Sequence, residues 1–261
     1  MTTLLRRIYS IWCLLWFLIP FVCLYPLFWL AYYSRAYALI GYLNRFWAWC
    51  FLRGSGLPFE VHYHFHPSSR AVYVLCSNHN SYLDIVLMGL IAPPRHVFVG
   101  KDSLSRIPLF GRMFAKLHIP VKRESTTASY KALLHMRKAA QQGRSIIIFP
   151  EGGIRVHELD RLAPFKDGAF KVAIDLQIPI IPIAFPYNWK VLPDDHRFLP
   201  RYHRLEAVVL PPVQTKGCTE QDLEHIKQRT YDAIYQALKA YYPDLKYCAP
   251  SNGRNSVALR K

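Results

Sequence analysis

The sequence predicts an α/β fold, a sheet with helices packed on it, behind an N-terminal pair of apolar helices. From residue 59 onward, short apolar runs of strand length alternate with stretches of helical periodicity, as strands linked by helices do. The run from Ile11 to Tyr33 carries no charged residue. Between these regions Gly54-Ser55-Gly56 marks a hinge. The expected division is 1–56 for a two-helix membrane anchor, 57–247 for a single domain, and 248–261 for a disordered tail of small polar and basic residues.

The first apolar run is long enough to cross a bilayer, for which about 20 residues suffice. Pro20 and Pro26 each remove a helix hydrogen bond, and Trp12, Trp16, Tyr25, Trp29, Tyr32 and Tyr33 have the aromatic character of an interface. A kinked or re-entrant helix therefore competes with a straight span. The stretch from Ala36 to Leu52 contains Asn44, Arg45 and aromatics at helical spacing, and folds back as the second helix. Arg6 and Arg7 before the hairpin, with Arg45 and Arg53 in and after it, put both ends on the positive, cytoplasmic side. Beyond the hinge, strands are expected at residues 59–65, 71–76, 96–99, 145–149, 178–185 and 205–210. Helices are expected at 85–91, 129–142, 168–176 and 219–242.

Composition narrows the partners. With 33 Lys and Arg against 17 Asp and Glu, the net charge of +16 attracts polyanions, among them phospholipid surfaces and phosphorylated small molecules. No nucleic-acid-binding signature accompanies the charge, so no nucleic-acid partner is expected. The six cysteines contain no CxxC pair, which indicates neither a disulfide scaffold nor a zinc site. His62, His64 and His66 share one face of a strand, but no carboxylate or cysteine completes a ligand set nearby, and no metal is expected.

Two stretches carry chemistry, each placed where an apolar run gives way to polar residues: NHNSYLD at 78–84 and FPEGGIR at 149–155. On one regular helix, positions five apart lie about 140° around the axis, so His79 and Asp84 meet only if His79 precedes the helix. Ser81 as N-cap and Asp84 at the third helical position allow this. Two roles then compete for Asp84, a plain helix cap or the partner that holds the His79 tautomer while the imidazole takes a proton from a hydroxyl. In the second stretch Gly152 and Gly153 let backbone N–H groups approach a phosphate or an oxyanion, and Glu151 suits a cation or hydroxyls. Lys122-Arg123, after the strand-like LHIPV, is placed to hold a phosphate. No GxSxG surrounds a serine, so no covalent intermediate is called for.

In register, these blocks resemble the lysophosphatidic-acid acyltransferase (phospholipid/glycerol acyltransferase) family. NHNSYLD is similar to its histidine-aspartate block, HIPVKR to its phosphate-binding block, FPEGGIR to its glutamate-glycine block, and IPIIPIAF to its final apolar block, covering about residues 70–190. The resemblance implies the glycerolipid acyltransferase fold, a mixed sheet flanked by helices. It also implies a general base at His79 with Asp84 as partner, and acceptor-binding residues at Arg123, Glu151 and Gly152, with Lys101 in a further basic block. Lys122 stands where the family often has an acidic residue, and Arg155 comes one residue later than the usual Gly-Thr/Ser-Arg, so Arg155 is not carried over.

The implied reaction moves an acyl group from acyl-CoA or acyl carrier protein to lysophosphatidic acid, with no cofactor beyond that co-substrate. The implied location is a membrane, the bacterial inner membrane with the domain on its cytoplasmic side. Two other functions suit the same residues: acylation of another lyso-lipid such as an amino-acid-linked one, and non-catalytic binding of anionic lipid by a basic protein.

Overall fold

A computed structural model describes residues 3–122, 126–154, 162–195 and 197–248. The chain opens with a helical hairpin, α1 (Thr3–Tyr33) and α2 (Tyr37–Gly54). Neither Pro20 nor Pro26 ends α1, which at about 1.5 Å per residue is about 46 Å long. Its buried residues Cys13, Phe21, Leu24, Phe28 and Ala31 recur at helical spacing and form one inward stripe, while Leu14, Leu18, Val22, Leu27 and Leu30 stay exposed.

The second helix is not a second candidate span. Among the described residues only Leu4–Tyr33 is long and apolar enough to cross a membrane. One face of α2 packs on the domain. It buries Ile40, Leu43, Asn44, Ala48, Phe51 and Leu52, and Gly41 brings its backbone so close to Pro94 that a Cβ there would lie 1.8 Å from the Pro94 carbonyl oxygen. Arg45 donates to the Ala92 carbonyl at 2.8 Å. The Asn44 amide meets His96 Nε2 at 3.2 Å, and His96 Nδ1–H donates to the Pro93 carbonyl at 2.8 Å. Of the aromatics of α2, Trp47 joins the two helices, 4.8 Å from Phe17 by ring centroids, while Tyr42, Phe46 and Trp49 stay exposed.

Seven strands follow: β1 (Phe59–Tyr63), β2 (Val74–Ser77), β3 (His96–Lys101), β4 (Ile119–Val121), β5 (Ser145–Ile148), β6 (Ile180–Ala184) and β7 (Leu205–Val209). Their order across the sheet is β1-β7-β6-β2-β5-β3-β4. All neighbours run parallel except β6 and β7, so the sheet is mixed. The helices are α3 (Leu83–Ile91), α4 (Phe110–Leu117), α5 (Thr126–Gln141), α6 (Gly168–Asp175), α7 (Asn188–Val191) and α8 (Leu223–Lys239).

Alternation along the strands sorts them onto two layers. Leu75, Ile147, Ile181 and Ile183 face the layer that holds α3 and the α1–α2 hairpin. Val74, Cys76, Ile180 and Ala184 face α6 and α8, and Val97 and Ile146 face α5. Burial on both faces explains why β5 and β6 read as unbroken apolar runs rather than alternating ones. Helices α4 and α7 were not expected. α4 turns Met113, Phe114 and Leu117 inward and leaves Arg112 and Lys116 exposed, a pattern that its short length and cluster of cations obscure in the sequence.

Candidate active site

The central strand β2 has β5 on one side and β6 on the other, all parallel, so the segments leaving the three carboxyl ends converge. In open α/β sheets this edge is where ligands bind. Asn78 joins two of the segments. Its side-chain amide donates to the Phe185 carbonyl at 3.0 Å and its Oδ1 accepts the Phe185 N–H at 2.8 Å, extending the β2–β6 pairing by a side chain.

His79 comes next, buried except for a small part of its ring. Its Nδ1 lies 3.0 Å from Asp84 Oδ2. That same oxygen accepts the backbone N–H groups of Asn80 and Ser81, each at 2.8 Å. Asp84 Oδ1 accepts from Asn188 Nδ2 at 2.8 Å. The tautomer that satisfies this contact has Nδ1–H donating to the carboxylate oxygen, with Nε2 left on the other edge of the ring. Phe149 stacks on the imidazole with ring centroids 3.9 Å apart and planes at 20°. The ring is thus held by a carboxylate at its edge and an aromatic against its face.

The helix start differs from the expected cap by one position. α3 begins at Leu83, with Tyr82 before it, and Ser81 Oγ accepts the Leu83 N–H at 3.2 Å while donating to the Leu192 carbonyl at 2.7 Å. Ser81 therefore ties the helix entry to the end of α7. Asp84 still reaches back to the Ser81 N–H, so capping and holding the histidine are performed by one oxygen.

Glu151 is also drawn into the constellation. Its Oε1 accepts the His79 N–H at 2.7 Å and its Oε2 accepts the Ala163 N–H at 3.1 Å. The carboxylate expected to meet an acceptor is buried and grips the backbone of the candidate base. Gly152 has φ +82°, a conformation natural to glycine, and a Cβ there would lie 2.7 Å from Lys166 Cε and Nζ. Lys101 is exposed at the carboxyl end of β3, two strands from β2, and touches none of these groups. Arg123 and Arg155 lie outside the described residues. His62 falls between Glu60 and Glu206, 3.7 and 3.6 Å from their oxygens, while His66 stacks on Tyr63, so the three alternating histidines do not converge.

Sequence reasoning did not single out Asn78, Asn188 or Phe149. Asn188 is fully buried on the four-residue α7, more than a hundred positions from its partner, and no local pattern announces it. Phe149 does sit in one of the motifs, but only the sheet order puts it under the imidazole.

Residues 59–186 match the model of the Acyltransferase family. The 1-acyl-sn-glycerol-3-phosphate acyltransferase of Haemophilus influenzae is 38% identical over 171 residues, which cover 64% of this chain and 67% of that protein. The human alpha form is 33% identical over 195 residues, 72% of this chain and 66% of the relative. A chloroplastic form from Brassica napus is 29% identical over 149 residues, 56% of this chain and 42% of that protein, so the chain spans under half of that relative's length. The crystal structure of the 1-acyl-sn-glycerophosphate (LPA) acyltransferase from Thermotoga maritima shares the fold, with a TM-score of 0.70 at 17% identity over 90% of this chain and 97% of the other. With the His79–Asp84 pair and the FPEGG turn both inside the residues that the family model matches, the chain belongs to the lysophosphatidic acid acyltransferase family.

Proposed function

We propose that this chain moves an acyl group from an acyl thioester, acyl-CoA or acyl carrier protein, to the free hydroxyl of a lysophosphatidate. The observation that carries the reading is the His79 tautomer: Nδ1–H is held by Asp84, which leaves Nε2 as the base. As the acceptor oxygen attacks the thioester carbon, its proton passes to Nε2. The C–O bond forms, the C–S bond breaks, and the imidazolium returns the proton to the departing thiolate. A positioned general base such as His79 is typically worth about 10² to 10⁴ in rate, and Asp84 stabilises the transient imidazolium. Lys101 and Arg123 are the cations we assign to the acceptor phosphate, Gly152 supplies a backbone free of a Cβ, and Glu151 sets the position of His79.

Membrane association belongs to this proposal. α1 packs along the domain over most of its length, from the Arg6 guanidinium on the Leu199 carbonyl (2.9 Å) and the Tyr9 hydroxyl on Ser55 to Phe28 beside Met113 and Leu117 of α4. A helix with one flank occupied end to end by a polar domain lies in one leaflet, its bare apolar flank in the lipid. Arg6 and Arg53 then share the charged end of the hairpin, which suits the cytoplasmic side of a bacterial inner membrane.

The test is acyl transfer by the purified protein, with donor and acceptor varied separately. Turnover of lysophosphatidate that is lost in His79→Ala supports the reading. Full activity in His79→Ala, or turnover confined to another lyso-lipid, rules out the mechanism or the acceptor respectively.

A further inference from the structure

The turn Ile107-Pro108-Leu109, between the 3-10 segment Asp102–Arg106 and α4, is exposed although two of its side chains are large and apolar, Ile107 at 46% and Leu109 at 58%. Its backbone is unusual. Leu109 has φ +61° and ψ −59°, and the Phe110 N–H donates to the Pro108 carbonyl at 2.7 Å, which makes a γ-turn of the rare, strained hand. The next residue locks it. The Gly111 N–H donates to the Ile107 carbonyl at 2.7 Å, and a Cβ at Gly111 would lie 2.2 Å from the Ser105 carbonyl oxygen. The turn is therefore a rigid knob that holds an apolar side chain outward, where an ordinary surface loop would present polar ones.

Its surroundings identify what it meets. The Tyr25 hydroxyl of α1 donates to the Leu109 carbonyl at 3.3 Å, and Phe110 packs 6.0 Å from Phe21 by ring centroids. By helical spacing Val22, Leu18 and Leu14 share the flank of α1 with Tyr25, and all three are exposed. The knob thus continues the bare apolar flank of α1. Lys101, Arg106, Arg112 and Lys116 are exposed around it, the one ion pair they make among the described residues being Arg106 with Asp102 at 3.8 Å on the surface.

We propose that the Ile107–Leu109 turn is a second membrane-insertion element, seating α4 and the neighbouring cations on a bilayer that contains anionic lipid. The proposal rests on the reading of α1 as lying in one leaflet, and extends the lipid-facing surface beyond the hairpin. Two apolar side chains enter the headgroup boundary while Arg106, Arg112 and Lys116 meet lipid phosphates, so the end of the Lys101 strand is held at the surface.

The experiment uses the full chain on vesicles of phosphatidylcholine and phosphatidylglycerol containing doxyl-labelled lipid. In a background with Cys23, Cys50, Cys218 and Cys248 replaced by serine, a fluorophore is attached at Leu109→Cys, at Leu18→Cys on α1, or at the remote Lys216→Cys. Quenching at the first two sites and none at the third is the expected result. Quenching at Leu18→Cys alone overturns the proposal and leaves the hairpin reading intact, whereas quenching at neither sinks both. Protection of the Leu109→Cys label without lipid, in a dimer-sized particle, assigns the turn to a second copy and likewise overturns it. A second variant guards against misfolding. Leu109→Gly relieves the positive φ, so its melting temperature holds or rises, while Ile107→Ser/Leu109→Gly loses about tenfold in vesicle affinity. Unchanged affinity in that fully folded variant also defeats the idea.

Discussion

Replacing Asp84 by asparagine separates the charge of this residue from its geometry. The carboxylate takes four donors, with Asn80 N–H, Ser81 N–H and His79 Nδ1–H on Oδ2 and Asn188 Nδ2 on Oδ1. Two backbone donors cannot face an amide nitrogen, so the amide oxygen must occupy the Oδ2 place and the His79 tautomer survives. The new NH₂ then meets Asn188. Asn188 Oδ1 is buried without a partner, and a flip of that side-chain amide turns a donor-donor clash into a hydrogen bond. The fold should therefore lose only about 1–2 kcal/mol, as charged hydrogen bonds become neutral ones.

What disappears is the negative charge opposite the imidazolium. A difference of about 1–2 kcal/mol between charged and neutral bonds corresponds to a loss of about 5- to 30-fold in kcat. In a Ser-His-Asp triad the same change costs about 10⁴ because the tautomer reverses. The assay is release of free thiol at saturating substrates, with thermal unfolding of the same sample. A loss near 10⁴ at an unaltered melting temperature would show that the backbone lock on the tautomer fails, and an unchanged kcat would show that the pair carries no charge role.

Asn188→Ala removes the side-chain donor to Asp84 Oδ1, and should cost about 1–3 kcal/mol of stability and several-fold in kcat at constant KM; a change in KM alone would contradict a role exerted through Asp84. Glu151→Gln sets an NH₂ group against one of two backbone donors, so kcat and melting temperature should fall together, whereas a raised KM in a fully stable protein would mean that this residue meets the acceptor instead. Burial holds His96 at a pKa of about 4 against its ordinary 6.5 and pushes His118 down as well. The unfolded chain then binds protons in that interval that the folded chain refuses, so stability is complete above pH 6.5 and falls as pH drops toward 4, by up to about 3 kcal/mol for His96. Denaturant unfolding at pH 7.5, 6 and 5 measures this, and a flat profile would show that these imidazoles are not buried neutral.

Much of the sheet was legible because a strand buried on both faces is an unbroken apolar run, as in Ile146-Ile147-Ile148 and Ile180-Ile181. The His79–Asp84 meeting was legible for a local reason, since only a histidine before a helix start can reach a carboxylate five positions on. Asn188 was not, because its contact depends on the β2–β6 adjacency closed by Asn78 and Phe185, a long-range pairing with no periodicity of its own. The same cause hid the place of α2: Gly41 against Pro94 and Asn44 against His96 are tertiary facts, and the aromatics that suit lipid equally suit a helix pair.

The cap and the contact with His79 fall on one Asp84 oxygen. A cap satisfies backbone donors at a helix start, and those donors, from Asn80 and Ser81, are what hold the shared oxygen in place. The same oxygen then has one direction left, toward His79 Nδ1. The contacts that start α3 therefore also hold the His79 ring, and Ser81 on Leu192 and Asn188 on Oδ1 close the loop from α7, in the same layer as α3. In the proposed reaction, an imidazole held this way needs no reorganisation when the proton moves.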